Sequence, residues 1–146
     1  MKLNDMEISR MSIAQGLREE LNEESGWGFE ITRVDGTDEV LVQTVISNST
    51  GLTVNLAYLL FTDQEGNESV QLTVSAFDMS KCNPDVLQVV LDKGVNVDFV
   101  KVYRAEDRFG LSYITSIKRI TGDITIIYDT MIGMLDVMAE YLTHAR

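Results

Sequence analysis

Through residues 27–76 apolar residues alternate with polar ones, and each break in the alternation is a short polar turn. A period of two places every second side chain on one face of an extended chain, so this stretch reads as β-strands. Trp27 to Val34 sets Trp27, Phe29 and Ile31 against Gly28, Glu30 and Thr32. Asp35-Gly36-Thr37-Asp38 is a turn, after which Glu39 to Ser47 sets Val40, Val42, Thr44 and Ile46 opposite Leu41, Gln43 and Val45. Asn48-Ser49-Thr50-Gly51 turns the chain again. Leu52, Val54, Leu56, Tyr58 and Leu60 then oppose Thr53, Asn55, Ala57, Leu59 and Phe61. Asp63-Gln64-Glu65-Gly66-Asn67 is a loop tip that leads into Val70, Leu72, Val74 and Ala76. Connections this short join antiparallel neighbours, with one face packed and the other partly wet.

Helical spacing brackets this meander. Ahead of it, Ser9 or Ser12 can cap a helix whose stripe is Ile13, Leu17 and Leu21. Glu19, Glu20, Glu23 and Glu24 crowd its outer side and last turn, where they oppose the macrodipole, so this end is expected to fray before Gly26. After the meander, Asn83 as cap and Pro84 at the first helical position start a short helix with Val86, Leu87, Val90 and Leu91 as its apolar face, ended by Gly94. Val95 to Tyr103 and Leu111 to Ile117 read as two further strands joined by the turn Ala105 to Gly110. Thr121 or Asp123 caps a closing helix carrying Ile124, Ile127, Met131, Met134, Leu135, Met138 and Leu142. The order is α-β-β-β-β-α-β-β-α. Amphipathic helices need a sheet face to cover, so the expectation is an α+β fold, a two-layer domain over residues 1–146 with helices packed on an antiparallel sheet.

Charge narrows the function. The chain carries 23 acidic and 12 basic residues, a net charge of −11, which repels phosphate backbones and argues against nucleic acid as a partner. Residues 1–80 hold fourteen acids and four bases, whereas residues 81–146 hold nine and eight. Two electrostatically different surfaces follow, or one solvated acidic face. No apolar run is long enough to span a bilayer, and the first residues lack the apolar core of a signal peptide, so no membrane role and a cytoplasmic location are expected. A lone cysteine, Cys82, fits a reducing compartment.

Catalytic chemistry is thinly supplied. The single histidine, His144, sits at the end of the closing helix, where a general base would lack a fixed pose. Cys82 precedes a helix N-terminus, which can lower a thiol pKa, but no base is placed beside it. Asp63 to Glu68 repeats oxygens at alternate positions like a calcium loop, yet Val74 stands where the twelfth, acidic ligand belongs. No phosphate-binding glycine motif or His-Glu helix occurs. The expectation is no enzyme, no cofactor and no metal. Two candidate surfaces remain. One is the closing helix, where Tyr128, Met131, Met134, Leu135, Met138 and Tyr141 combine adaptable thioethers with aromatics. The other is a basic cluster, Lys101, Arg104, Arg108, Lys118 and Arg119, interleaved with Tyr103, Phe109 and Tyr113.

The element order, Trp27-Gly28-Phe29-Glu30-Ile31 opening the sheet, Val86 to Leu91 running toward Phe99-Val100-Lys101-Val102-Tyr103, and the hairpin Arg104 to Ile117 before a long closing helix resemble the bacterial YbjN family, whose fold is shared with type III secretion chaperones. That resemblance implies a small, acidic, non-enzymatic homodimer that holds a partly unfolded client segment. Three functions are therefore carried forward. The first is a protein-binding module, chaperone-like or a regulatory adaptor. The second is an acidic decoy that mimics a nucleic-acid backbone, and the third a small-ligand domain or enzyme.

Overall fold

The structure, a computed structural model, describes residues 5–47, 53–94, 99–119 and 124–144. Its elements are α1 (Asp5–Ser25), β1 (Glu30–Arg33), β2 (Val40–Ser47), β3 (Thr53–Thr62), β4 (Glu68–Ala76), a 3-10 turn (Met79–Lys81), α2 (Pro84–Lys93), β5 (Lys101–Arg104), β6 (Phe109–Ser116) and α3 (Ile124–His144). The expected α+β order is therefore the observed one. All six strands join one antiparallel sheet in the order β1-β2-β3-β4-β6-β5. The first four form the anticipated meander. β6 then pairs with β4, which leaves the short β5 on the outside.

Register explains the core. Ile31, Val42, Tyr58, Leu72 and Tyr113 are successive cross-strand partners in one row, and Thr44, Leu56, Val74, Leu111 and Val102 form the next. Most of these side chains are buried in a single cluster with Ala14, Leu17 and Leu21 of α1, Leu87 and Leu91 of α2, and Ile127, Met131, Met134 and Met138 of α3. α1 lies over β1 and β2, α3 over β4 and β6, and α2 against α3 and β5. Each fully buried Leu, Val or Met contributes about 1.5–3 kcal/mol, so this inner layer dominates stability. Rings lock edge to face within it: Phe29 with Tyr58 at 6.2 Å and Phe109 with Tyr141 at 5.8 Å between centroids.

Several local expectations change. α1 starts at Asp5, so Ser9 and Ser12 are interior residues and not caps. It runs to Ser25, directly before Gly26. Gly26 adopts φ +73 and donates its N–H to Asn22 O at 2.9 Å, while the Asn22 carboxamide accepts from Phe29 N at 2.7 Å. The left-handed turn suits glycine, and the orphan carbonyl is satisfied despite the neighbouring glutamates. Arg10 is 2% exposed and lies on the same helix face as Ala14 and Leu17. Its guanidinium meets Glu68 twice, at 3.0 and 2.8 Å, donates to Asp38 O at 2.7 Å, and reaches the Thr62 hydroxyl. This fork ties α1 to three places on the sheet, and it holds the Glu68 carboxyl below the ordinary glutamate range.

α2 starts as expected, with Asn83 Oδ1 accepting from Val86 N at 3.3 Å and Pro84 in the first turn. Its apolar face is narrower than expected: Leu87 and Leu91 are buried, Val90 is half-buried, and Val86 and Val89 are exposed. The strand expected from Val95 begins only at Lys101, because Phe99 has φ +66, which no strand residue adopts. Residues 95–98 and both expected caps of α3, Thr121 and Asp123, lie outside the described residues.

Candidate functional site

All three helices share the core with one face of the sheet, so the other face carries no described helix. Its rows follow from the same register: Thr32, Leu41, Leu59, Gln71 and Ile114 in one, and Val45, Asn55, Ser75, Gly110 and Tyr103 in another. Val45 is 59% exposed and Ile114 57%, with Leu41, Leu59 and Phe61 half-buried beside them. The charged residues of these two rows and the row between them are Glu30 and Lys101, at opposite edges. A chain with net charge −11 thus keeps one broad face nearly neutral and partly apolar.

At one end of this face lies a hollow of about 410 Å3, lined among others by Glu30, Gln43, Val45, Asn55, Phe77 and Arg108. Asn55 is 4% exposed and lines this hollow. Its cross-strand partner Ser75 is fully buried, and the Ser75 hydroxyl has no hydrogen-bond partner. The guanidinium of Arg108 stands 6.0 Å over the Phe77 ring, and its buried Nε has no hydrogen-bond partner; the nearest acid, Asp107, is 3.6 Å away. A buried polar group left unpaired costs about 1–3 kcal/mol, and the Ser75 hydroxyl carries that cost. Gly110 shapes the same region. A Cβ there would lie 2.0 Å from Val74 O and 2.8 Å from Ser75 Cα, so β4 and β6 approach more closely than any side chain permits.

A second hollow of about 540 Å3 lies at the opposite end, around the β3–β4 hairpin tip. Here the polar groups are already matched. Asp63 accepts from Glu65 N at 2.9 Å and Asn67 N at 2.8 Å, and the Asn67 contact is the main reason its carboxyl is held below the usual range. The tip is a self-satisfied Asx turn, as its polar sequence suggests. Among the described residues no three His, Cys, Asp or Glu side chains group to hold a metal.

The candidates read from sequence are placed as follows. Met131, Met134, Met138 and Tyr141 are buried in the inner core, and only Tyr128 and Leu135 of that stripe are half-buried. The methionines fill the space between α3 and the sheet, with Met131 Sδ accepting from the Tyr58 hydroxyl at 3.0 Å. Burial pushes that phenol far above the ordinary tyrosine range. The Tyr141 hydroxyl accepts from Asn83 N at 2.8 Å and donates to Lys81 O, pinning the start of α2 onto α3. A stripe used in this way is not accessible while α3 stays docked. The five basic residues divide. Lys101 lies on the open face opposite Ser112, and Arg104 and Arg108 flank the start of β6. Lys118 and Arg119 follow its far end, with Arg119 donating to the Tyr113 hydroxyl at 3.2 Å. An eight-residue strand spans about 27 Å, so they do not form one patch. Glu19, Glu20, Glu23 and Glu24 stand exposed on α1. Cys82 is half-buried, and His144 is exposed at the last described turn of α3.

Asn55, Gln43 and Ser75 are the residues that sequence reasoning passed over. The only signal was Asn55 itself, a carboxamide interrupting the most apolar strand of the chain. No protein-family model, curated protein or solved structure matches this chain.

Proposed function

We propose that the chain is a non-enzymatic protein-binding module, a chaperone-like holder or regulatory adaptor, that takes a segment of a partner protein on the open face of its sheet. The observation that supports this reading is the uncovered face itself, with Val45 and Ile114 exposed among neutral neighbours on an otherwise acidic chain. Exposed apolar patches rimmed by polar residues are where soluble proteins meet partners. A homodimer and a cytoplasmic location belong to the same proposal. So does the resemblance to the YbjN family, which rests on element order and spacing.

The test is an array of short peptides tethered by their C-termini, probed with the intact chain and with a Val45→Lys, Ile114→Lys double variant. Intact protein should retain a set of apolar-rich peptides, and the variant should lose at least about tenfold in affinity, equivalent to about 1.4 kcal/mol. An array on which nothing binds, or on which both proteins bind alike, would sink the proposal. Light scattering reads the dimer separately, and a strict monomer removes that part.

A further inference from the structure

We infer that the open face closes on the open face of a second copy of this chain, about a two-fold axis parallel to the strands and passing between β3 and β4. This rests on the open face being the binding surface, and deepens that reading by naming what covers the face when no client is present. One row of the sheet carries the argument. Glu30, Gln43, Ala57, Thr73, Ser112 and Lys101 are successive cross-strand partners, one from each strand. The two ends of this row are exposed and oppositely charged, and the four residues between them are neutral. Neither end forms an ion pair with another described residue.

Symmetry decides how two such faces meet. An axis perpendicular to the strands sets Glu30 on the partner's Glu30 and Lys101 on the partner's Lys101. An axis parallel to them lays β1 over the partner's β5, so that Glu30 faces the partner's Lys101 at both edges. Packed sheets lie about 10 Å apart, within the combined reach of a lysine and a glutamate side chain. The small Ala57, Thr73 and Ser112 in the middle of the row permit that approach. The same axis lays β2 over the partner's β6. It brings Ile114 onto the partner's Leu41, and Val45 onto the partner's Gly110, where no side chain opposes it. Six strands at a spacing of ~4.8 Å, and ~20 Å of β3 from Asn55 to Phe61, give about 600 Å2 per copy. The ~1,200 Å2 covered in total lies at the lower end of specific interfaces, among the pairings that a competitor can displace.

The test is sedimentation velocity across the micromolar range, with no peptide present, on the intact chain, Glu30→Lys, Lys101→Glu and the double variant carrying both. The intact chain should dimerise. Each single variant sets like charges against each other at both edges and should weaken dimerisation about tenfold. Glu30→Lys should do so although it makes the chain less negative, which general repulsion between acidic copies would reward. The double variant exchanges the two charges at unchanged net charge and should dimerise like the intact chain. An equimolar mixture of the two single variants should also recover the intact affinity, because each then meets opposite charge at both edges. A variant that had lost its fold would fail in the mixture too, so recovery there reads the interface alone. A monomeric intact chain overturns the inference, as do single variants that dimerise unchanged or a mixture that stays monomeric. A peptide retained by the array should convert dimer to monomer, and a dimer that binds it without dissociating also overturns the shared face. The two readings fail separately: a monomer that retains array peptides keeps the client and loses the second copy, and a dimer that retains none does the reverse.

Discussion

Tyr58 and Leu59 are neighbours on β3, yet they belong to different environments. Tyr58 is enclosed between Val42 and Leu72 under α3, whereas Leu59 lies half-buried beside Leu41 and Gln71 on the face without helices. The same four central strands make both faces, one residue step apart. On the inner face, among the described residues, Arg10, Tyr58 and Tyr141 all have hydrogen-bond partners. On the outer face the buried Ser75 hydroxyl lacks one. Stability alone explains the first, since burial and hydrogen bonding there reinforce each other. It does not explain the second, because an apolar residue of similar size in place of Ser75 would remove a desolvation cost.

Substitutions can break or sharpen that contrast. The largest effect is expected at the seam of the two faces, where Gly110→Ala drives a Cβ into the Val74 carbonyl; a loss above about 4 kcal/mol in denaturant unfolding checks it. On the inner face, Met131→Ala should cost about 3 kcal/mol by the cavity it leaves, and Arg10→Ala a similar amount by stranding Glu68. If either costs under about 1 kcal/mol, the inner layer is less tightly packed than described. Acid should reveal the same clamp. The Glu68 carboxyl is lowered in the folded chain, so its contribution is complete above the unfolded glutamate pKa of ~4.3 and is lost as pH falls through the lower folded value. Melting temperature should therefore drop more steeply below about pH 4.3 in the intact chain than in Glu68→Gln. The smallest effect belongs to the outer face, where Ile114→Thr should change stability by no more than about 0.5 kcal/mol.

Much of the inner face was legible in the sequence because its physics is periodic. Val40, Val42, Leu56, Tyr58, Leu72 and Val74 announce their side by alternation, and Asn83-Pro84 announces α2 by local capping chemistry. What periodicity does not encode was missed. Arg10 reads as a solvated cation until Glu68, fifty-eight residues away, supplies its partner. The place of β6 between β4 and β5 depends on a pairing with no local signature. The methionines of α3 were ambiguous for a related reason: a thioether stripe looks alike whether it meets the chain's own sheet or a second molecule. Asn55 and Ser75 were passed over because an alternating strand permits polar residues on the wet face. Only their burial, and the partnerless hydroxyl of Ser75, distinguishes them.

The strand order also constrains the sequence of events in folding. In the sheet β5 pairs only with β6, so it has no strand partner until β6 exists, although it emerges earlier along the chain. Through that interval β4 has an open edge, and open edges are templates for intermolecular pairing. The segment that carries this open edge, residues 1–80, is the one bearing fourteen acids against four bases. Mutual repulsion among half-made chains is then a kinetic safeguard, and pulsed hydrogen exchange during refolding should find the amides of β5 protected after those of β2 and β3.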